Sequence, residues 1–310
     1  MKKFYKRIIS ILVLIVLTTL AYLYLKNNIE TFRSLKIVSP ILLLLLIALF
    51  LSTYILIAYL TRMILKTMKI SISNRESFML SIVTGFYNLI TPLRGGLAAR
   101  ALYLKKNHQF SYTDFISSVA ASYVIIFLVA SVTGLSTALL IFIKKQIINW
   151  ILVTIFFIVF LAMMSIILFS KKLKESKYFL INKIIMISNS WNIIRKKPRI
   201  IIAVSLIAIT QLLISALMLK LQFSVFGFHI SFVEALFISS IGSLSLLISI
   251  TPAGLGINEA ITVFSALTLG ISPAQSLSAA LLGRAAQIII LFILGPIFSF
   301  ILFRIKSPMK

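Results

Sequence analysis

Long uncharged stretches alternate with short basic segments along most of the chain. Six of these stretches approach or exceed the roughly 20 residues that an α-helix needs to cross the hydrocarbon core of a bilayer. They occupy residues 8–25, 37–61, 115–143, 146–170, 200–219 and 275–303. Hydrophobic residues make up 60% of the chain and the mean hydropathy is +1.10. The pattern predicts an all-α polytopic membrane protein with about six full transmembrane helices.

Two further apolar stretches are interrupted by the same tripeptide, Ile-Thr-Pro, at 90–92 and 250–252. Proline and the glycines behind it break a helix, so Thr91, Pro92, Thr251 and Pro252 mark the predicted breaks. Free peptide groups at membrane depth require protein or water around them, and matched broken helices in two halves indicate a binding site. We interpret the stretches 77–104 and 232–269 as re-entrant hairpins. The alternative, that both are full spans, stays open from sequence.

The repeated break also divides the chain. We predict a single integral membrane domain over 1–310, with a first half of about 1–145 broken at 91–96 and a second half of about 146–310 broken at 251–259. The run 8–25 is long and lacks a small-x-small cleavage pattern, so it is predicted to be a retained anchor.

The chain has 31 Lys and Arg residues against six acidic ones, a net charge of +25. Because the basic residues cluster beside the spans, they indicate how the chain is oriented in the membrane. This explanation of the positive charge predicts no nucleic-acid partner. With the N-terminus inside, 22 basic residues lie on the cytoplasmic side and six outside, while Arg94, Arg100 and Arg284 fall at membrane depth. This predicts a cell-membrane protein with both termini cytoplasmic and two hairpins entering from opposite sides.

The first break combines features of an anion site. Arg94 and Arg100 flank Gly95 and Gly96, where backbone amides and a helix N-terminus are able to approach a ligand. Two guanidiniums beside such amides favour a phosphate. The alternative for Arg100 is that it extends toward the cytoplasmic interface with its charged end.

The second break offers similar backbone chemistry and adds an embedded ion pair. Its candidate ligands are Gly254, Gly256 and Asn258. Glu259 follows the break, and Arg284 lies within a predicted span, where each needs a partner. Two readings stay open: the pair locks helices together, or Arg284 binds a phosphate while Glu259 regulates the charge of the site. Gln287 would share the helical face of Arg284. The absence of cysteine and the two separated histidines predict no metal site, no cofactor and no catalytic residue of those types.

The segment 251–260 resembles the Pro-Gly-Gly-x-Gly-x-x-Glu signature of the lysylphosphatidylglycerol synthase transmembrane family, the flippase-like membrane domains. The first half is similar to the family's Pro-x-Arg-x-Gly-x-x-x-Arg-x-x-x-Leu segment, from Pro92 to Leu104. Ala253 replaces a glycine of the signature, and 118–126 lacks the acidic and basic cluster common in that family. The resemblance implies a stand-alone membrane domain, without the soluble synthase domain, that handles lipid.

These observations together predict binding of an anionic phospholipid or polyprenyl-linked lipid, and its translocation between leaflets. Two alternatives stay open. One is a membrane enzyme acting on a lipid phosphate, for which Glu259 is the only embedded candidate acid or base. The other is a non-transporting scaffold that presents lipid to a partner enzyme. A homo-oligomer is possible in each case.

Overall fold

A computed structural model describes residues 37–68, 70–169, 185, 188–192, 195–248 and 251–304. Regular secondary structure in these ranges is helical, without strands. The α-helices are α1 (Ile41–Thr67), α2 (Asn74–Ile90), α3 (Gly95–His108), α4 (Tyr112–Lys145), α5 (Trp150–Phe169), α6 (Pro198–Val225), α7 (Phe232–Leu244), α8 (Ile257–Leu267) and α9 (Pro273–Arg304). Short 3-10 turns at Pro92–Arg94, Ser245–Ile248 and Pro252–Gly254 lie in the two interrupted stretches.

Five helices of the described chain, α1, α4, α5, α6 and α9, are long and apolar enough to cross a membrane. They confirm five of the six predicted spans, and the sixth, 8–25, lies outside the described residues. Several helices begin before their apolar runs because local signals start them there. Ser111 caps α4 by accepting a hydrogen bond from the Asp114 amide at 3.0 Å, and Pro198 stands in the first turn of α6.

Helices α2 and α3 form a hairpin whose two ends meet. Glu76, in the first turn of α2, accepts a 2.7 Å hydrogen bond from the Tyr103 hydroxyl and lies 2.5 Å from the imidazole of His108 at the end of α3. The Tyr103 ring also packs on Phe303 near the end of α9, with centroids 5.9 Å apart. The first interrupted stretch therefore returns to the side from which it entered.

Helices α7 and α8 form the second hairpin at the other end of the bundle. Glu234, in the first turn of α7, pairs with Lys145 at the C-terminal end of α4, 2.5 Å away. Helix α8 ends shortly before α9 begins, and α9 runs from this end to the end where the first hairpin closes. The two helical hairpins thus open toward opposite ends of the bundle, as predicted. Which end faces the cytoplasm stays a prediction.

Close packing holds the hairpins against the long helices. One core between α4, α5, α6 and α7 includes Phe156, Phe223 and Ile238, each at most 2% exposed. A smaller core joins α1, α2 and α9 through Ile82 and Leu291, which are fully buried. Both hairpins pack against spanning helices, which hold the broken tips in place. In the second tip Thr251 and Gly254 are buried, whereas Leu93 in the first tip is 48% exposed.

Candidate anion site between the two helix breaks

The first break has an unusual backbone. The Thr91 hydroxyl donates to the Tyr87 carbonyl oxygen at the end of α2, and Pro92 then starts a 3-10 turn. Leu93 (φ 55°) and Arg94 (φ 58°) both adopt the left-handed conformation. That conformation costs a residue other than glycine about 1–2 kcal/mol. Two consecutive strained residues persist only where surrounding contacts fix them, which is a feature of functional sites.

The second break repeats this backbone. Pro252 again starts a 3-10 turn, and Ala253 (φ 45°) and Gly254 (φ 67°) occupy the left-handed region. These two residues stand at the same positions after the proline as Leu93 and Arg94 do in the first break. The repeated tripeptide of the sequence therefore corresponds to a repeated structure, in which the second copy carries glycine where the first carries arginine.

The tips of the two hairpins meet. The turns Pro92–Arg94 and Pro252–Gly254 contact each other, with Cα atoms within 8 Å. In the first hairpin, the Gly96 amide donates to Asn88 Oδ1 at 2.9 Å, and a Cβ on Gly96 would lie against the Thr84 carbonyl oxygen. Glycine at 96 therefore allows α3 to approach α2 closely enough for the break to reach its counterpart.

An ion pair fixes the second break. Arg284 Nε donates to Glu259 Oε1 at 2.6 Å, and Arg284 Nη1 donates to the Ala253 carbonyl oxygen at 3.3 Å and to Gln287 Oε1 at 3.1 Å. The other carboxylate oxygen of Glu259 accepts from the Gly256 amide at 2.7 Å, capping α8. The two side chains are only 10% and 13% exposed, so the pair satisfies both buried charges and connects α9 to the break.

Amide and hydroxyl groups complete this network. Asn258 Nδ2 donates to the Ala253 carbonyl oxygen at 3.2 Å, and Asn258 Oδ1 accepts from the Ser245 hydroxyl at 2.7 Å. Gly254 packs directly on Asn258, since a Cβ at 254 would lie 2.7 Å from Asn258 Nδ2. The geometry of the second break is therefore set by side chains from α8 and α9 as well as by its own sequence.

A cavity of about 420 Å³ opens beside the two tips. It is lined by faces of α1, α2, α3 and α4, by Gln211 of α6 and by Gln287 of α9. Of the predicted site residues, those on its wall are Arg94, Arg100, Gly254, Asn258 and Gln287. The other predicted site residues adjoin this wall rather than form it: Gly95, Gly96, Gly256, Glu259 and Arg284. The structure therefore brings the predicted residues together around one cavity, and their part in binding a ligand stays a prediction.

Among the described residues, the two arginines on the wall have no ionic partner of the kind that Arg284 has. Arg94 Nη1 donates to the Tyr123 hydroxyl, and its guanidinium carbon lies 5.4 Å from the centroid of the Tyr123 ring. The Nε of Arg100 is buried without a hydrogen-bond partner. No carboxylate lines the cavity in the described part of the chain. Two uncompensated positive charges in a partly apolar cavity favour an anion.

Several wall residues were not identified from the sequence. Ser118, Ser122 and Tyr123 lie on one face of α4, and Asn88 and Gln211 project from α2 and α6. The available signal was the spacing of polar residues at i, i+4 and i+5 within an apolar helix. Hydroxyl groups are common in buried helices, where they donate to the preceding turn, so this spacing alone did not distinguish a cavity wall from helix packing.

A separate ion pair lies at the end of the bundle, between Glu234 in the first turn of α7 and Lys145 at the last residue of α4. Burial alone would raise the pKa of Glu234, but hydrogen bonds from Lys145 and from the Ser231 hydroxyl and amide outweigh that effect and hold the pKa below its ordinary value of 4.5. Glu234 and Ser231 also form a capping box at the start of α7. This pair joins α4 to the second hairpin and does not contribute to the cavity.

The fold and the cavity define a polytopic all-α membrane protein in which two opposed helical hairpins meet beside an arginine-lined pocket. Residues 7–295 match the model of the family described as the lysylphosphatidylglycerol synthase TM region, so the chain belongs to this family. No curated protein and no solved structure matches the chain. Family membership supports a lipid-related function in a membrane.

Proposed function

We propose that the protein binds an anionic phospholipid or polyprenyl-linked lipid by its headgroup phosphate in the cavity between the two breaks and moves it between leaflets. The observation that carries the proposal is the state of Arg100. Its Nε is buried beside a cavity and has no hydrogen-bond partner in the described part of the chain, and arginine does not lose its proton in proteins. A headgroup phosphate would supply the missing charge and hydrogen bonds.

Arg94 and Arg100 would both bind the phosphate. Both line the cavity, and the strained left-handed conformation of Arg94 directs its side chain toward Tyr123 on the same wall. Arg284 was a candidate phosphate ligand from the sequence, but we propose that it has a structural role instead. Its guanidinium already binds Glu259 and the Ala253 carbonyl oxygen, so it would keep the second break in its binding-competent shape.

The size of the cavity and the opposed hairpins support movement of a headgroup. A volume of about 420 Å³ suits a small polar ligand, and acyl chains would remain in the surrounding lipid. Hairpins that enter from opposite ends and meet at their tips would allow either side to open while the other stays closed, the arrangement of alternating-access carriers. The same contact between tips would form the barrier in the closed state.

Reconstituted liposomes test the proposal. Fluorescent phosphatidylglycerol in the inner leaflet is protected from a quencher that is added outside the liposomes. Exchange between leaflets would be followed as the loss of this protection. We expect exchange with the wild-type protein and at least a tenfold lower rate with Arg100→Met. The matched control is Lys144→Met, which removes a positive charge from an exposed residue at the end of α4 and should leave the rate unchanged.

Equal rates for Arg100→Met and wild type would contradict the proposal. Lipid binding without exchange would favour the presenting scaffold, which would act with a partner enzyme. Release of a new product from labelled lipid would favour the membrane enzyme. In that case the chemistry would have to come from groups other than Glu259 in its present position, because both of its carboxylate oxygens are engaged away from the cavity wall.

A further inference from the structure

The distribution of charges around the cavity also determines which lipid headgroups the cavity is able to bind. The four carboxylates in the described residues are all engaged elsewhere: Glu76 with Tyr103 and His108, Asp114 with Ser111, Glu234 with Lys145, and Glu259 with Arg284. None of them lines the cavity. The described wall therefore has two positive charges and no group to neutralise a positive charge on a ligand.

The part of the wall that α4 contributes carries no charge and combines hydroxyl groups with apolar side chains. Ser118 donates its hydroxyl to the Phe115 carbonyl oxygen at 2.7 Å, and Ser122 donates to the Ser118 carbonyl oxygen at 2.8 Å. Thr84 on α2 does the same toward Leu80. Since each hydroxyl proton is already used within its helix, the oxygens keep lone pairs that accept hydrogen bonds. They suit the hydroxyl groups of a polyol.

An ammonium group would meet these acceptors and also the repulsion of two guanidiniums. Hydrogen bonds to neutral oxygens are available to a hydroxyl and an ammonium alike, so they do not decide between the two. Coulomb repulsion acts only on the ammonium and is strengthened in a partly apolar cavity, where screening is weak. Selectivity of this kind arises from rejecting the wrong ligand as much as from attracting the right one.

We infer that the cavity selects lipids whose headgroup joins a phosphate to a neutral, hydroxylated substituent, and that it rejects headgroups that carry an ammonium group. The inference rests on the proposed function and narrows its substrate class. The inferred preference differs from the lipid that the family description suggests, because the headgroup of lysylphosphatidylglycerol carries ammonium groups. Phosphatidylglycerol is the simplest lipid with the expected chemistry.

Native mass spectrometry of the delipidated protein with short-chain lipids tests the inference. The probes are phosphatidylglycerol, phosphatidylethanolamine and lysylphosphatidylglycerol, titrated separately. We expect phosphatidylglycerol to bind at least tenfold more tightly than either of the others. Ser122→Asp should place a carboxylate on the wall and shift the ratio of affinities toward lysylphosphatidylglycerol by at least tenfold, and Ser118→Asp provides a second variant in case the first does not fold.

The neutral control is Ser122→Asn, because asparagine has nearly the size of aspartate but carries no charge. This variant should keep the wild-type ratio of affinities, even if it changes the affinity for each lipid. Equal binding of phosphatidylglycerol and lysylphosphatidylglycerol to wild type, both weakened by Arg100→Met, would overturn the inference and leave the anion site standing. Binding of every probe that is insensitive to Arg100→Met would overturn the proposed function itself. An unchanged ratio in both aspartate variants would also contradict the inference.

Discussion

Arg100 and Arg284 are both embedded arginines, yet the structure predicts opposite effects when each is replaced by methionine. Methionine has an unbranched apolar side chain of similar length. In Arg100→Met it removes a charged group whose Nε has no hydrogen-bond partner among the residues that the structure describes, and the cavity beside it is kept. Replacing buried charges by well-packed apolar groups stabilises proteins by about 1–4 kcal/mol in favourable cases. We expect the lipid-free Arg100→Met protein to gain stability of that order.

Arg284→Met should have the reverse effect. It leaves Glu259, 13% exposed, without its cationic partner, and it removes the donor to the Ala253 carbonyl oxygen. Breaking a buried pair by removing one partner costs about 3–5 kcal/mol. The two variants lose the same charge from the same bundle, so the net charge of the protein does not explain a difference between them.

The assay is thermal unfolding in neutral detergent after lipid removal, followed by circular dichroism and repeated with added phosphatidylglycerol. The melting temperature should rise in Arg100→Met and fall in Arg284→Met. Added lipid should stabilise the wild type through mass action and stabilise Arg100→Met much less. If Arg100→Met lowered the melting temperature as far as Arg284→Met, Arg100 would be a structural residue with satisfied interactions, and the reasoning would be refuted.

Two further predictions concern the hairpins. Gly96→Ala forces a Cβ against the Thr84 carbonyl oxygen, and overpacking of this kind should outweigh the better helix propensity of alanine and destabilise the protein by about 1–3 kcal/mol. Gly242→Ala, where a Cβ meets nothing within 4 Å, should instead be neutral or stabilising by up to about 1 kcal/mol, and equal melting temperatures for the two would contradict the close packing. Because the pKa of Glu234 is lowered in the fold, its pairing with Lys145 stabilises the protein above about pH 4.5, and this contribution is lost as the pH falls through the folded pKa. The melting temperature should fall more steeply below pH 4.5 in wild type than in Lys145→Met, and identical pH profiles would oppose this assignment.

The spans and the breaks were accessible from sequence because each has a local cause. A run of about 20 apolar residues has few alternatives to a spanning helix, and Thr-Pro followed by glycine ends a helix wherever it occurs. The exact helix ends were less accessible, since caps such as Ser111 lie outside the apolar run. The left-handed conformation of Leu93 and Arg94 had no sequence signal, because residues other than glycine rarely adopt it.

The division of the site into wall and support depended on tertiary contacts. Glu259 and Arg284 were expected to pair or to bind ligand, and only the structure shows Arg284 turned toward the Ala253 carbonyl oxygen. The cavity face of α4 was not identified because serine and threonine residues are spread around this apolar helix, so its sequence does not indicate which face meets a neighbour and which meets a cavity. Tyr123 is the clearest example: its role follows from its contact with Arg94, 29 residues earlier in the chain.

The most direct test of the anion site is a cryo-electron-microscopy structure of the protein in nanodiscs made of phosphatidylglycerol. The account predicts headgroup density in the cavity, with the phosphate within hydrogen-bond distance of the guanidinium groups of Arg94 and Arg100, and with Arg284 still paired to Glu259. A cavity without lipid density at a resolution that shows ordered lipids elsewhere, or Arg100 pointing away from it, would contradict the account.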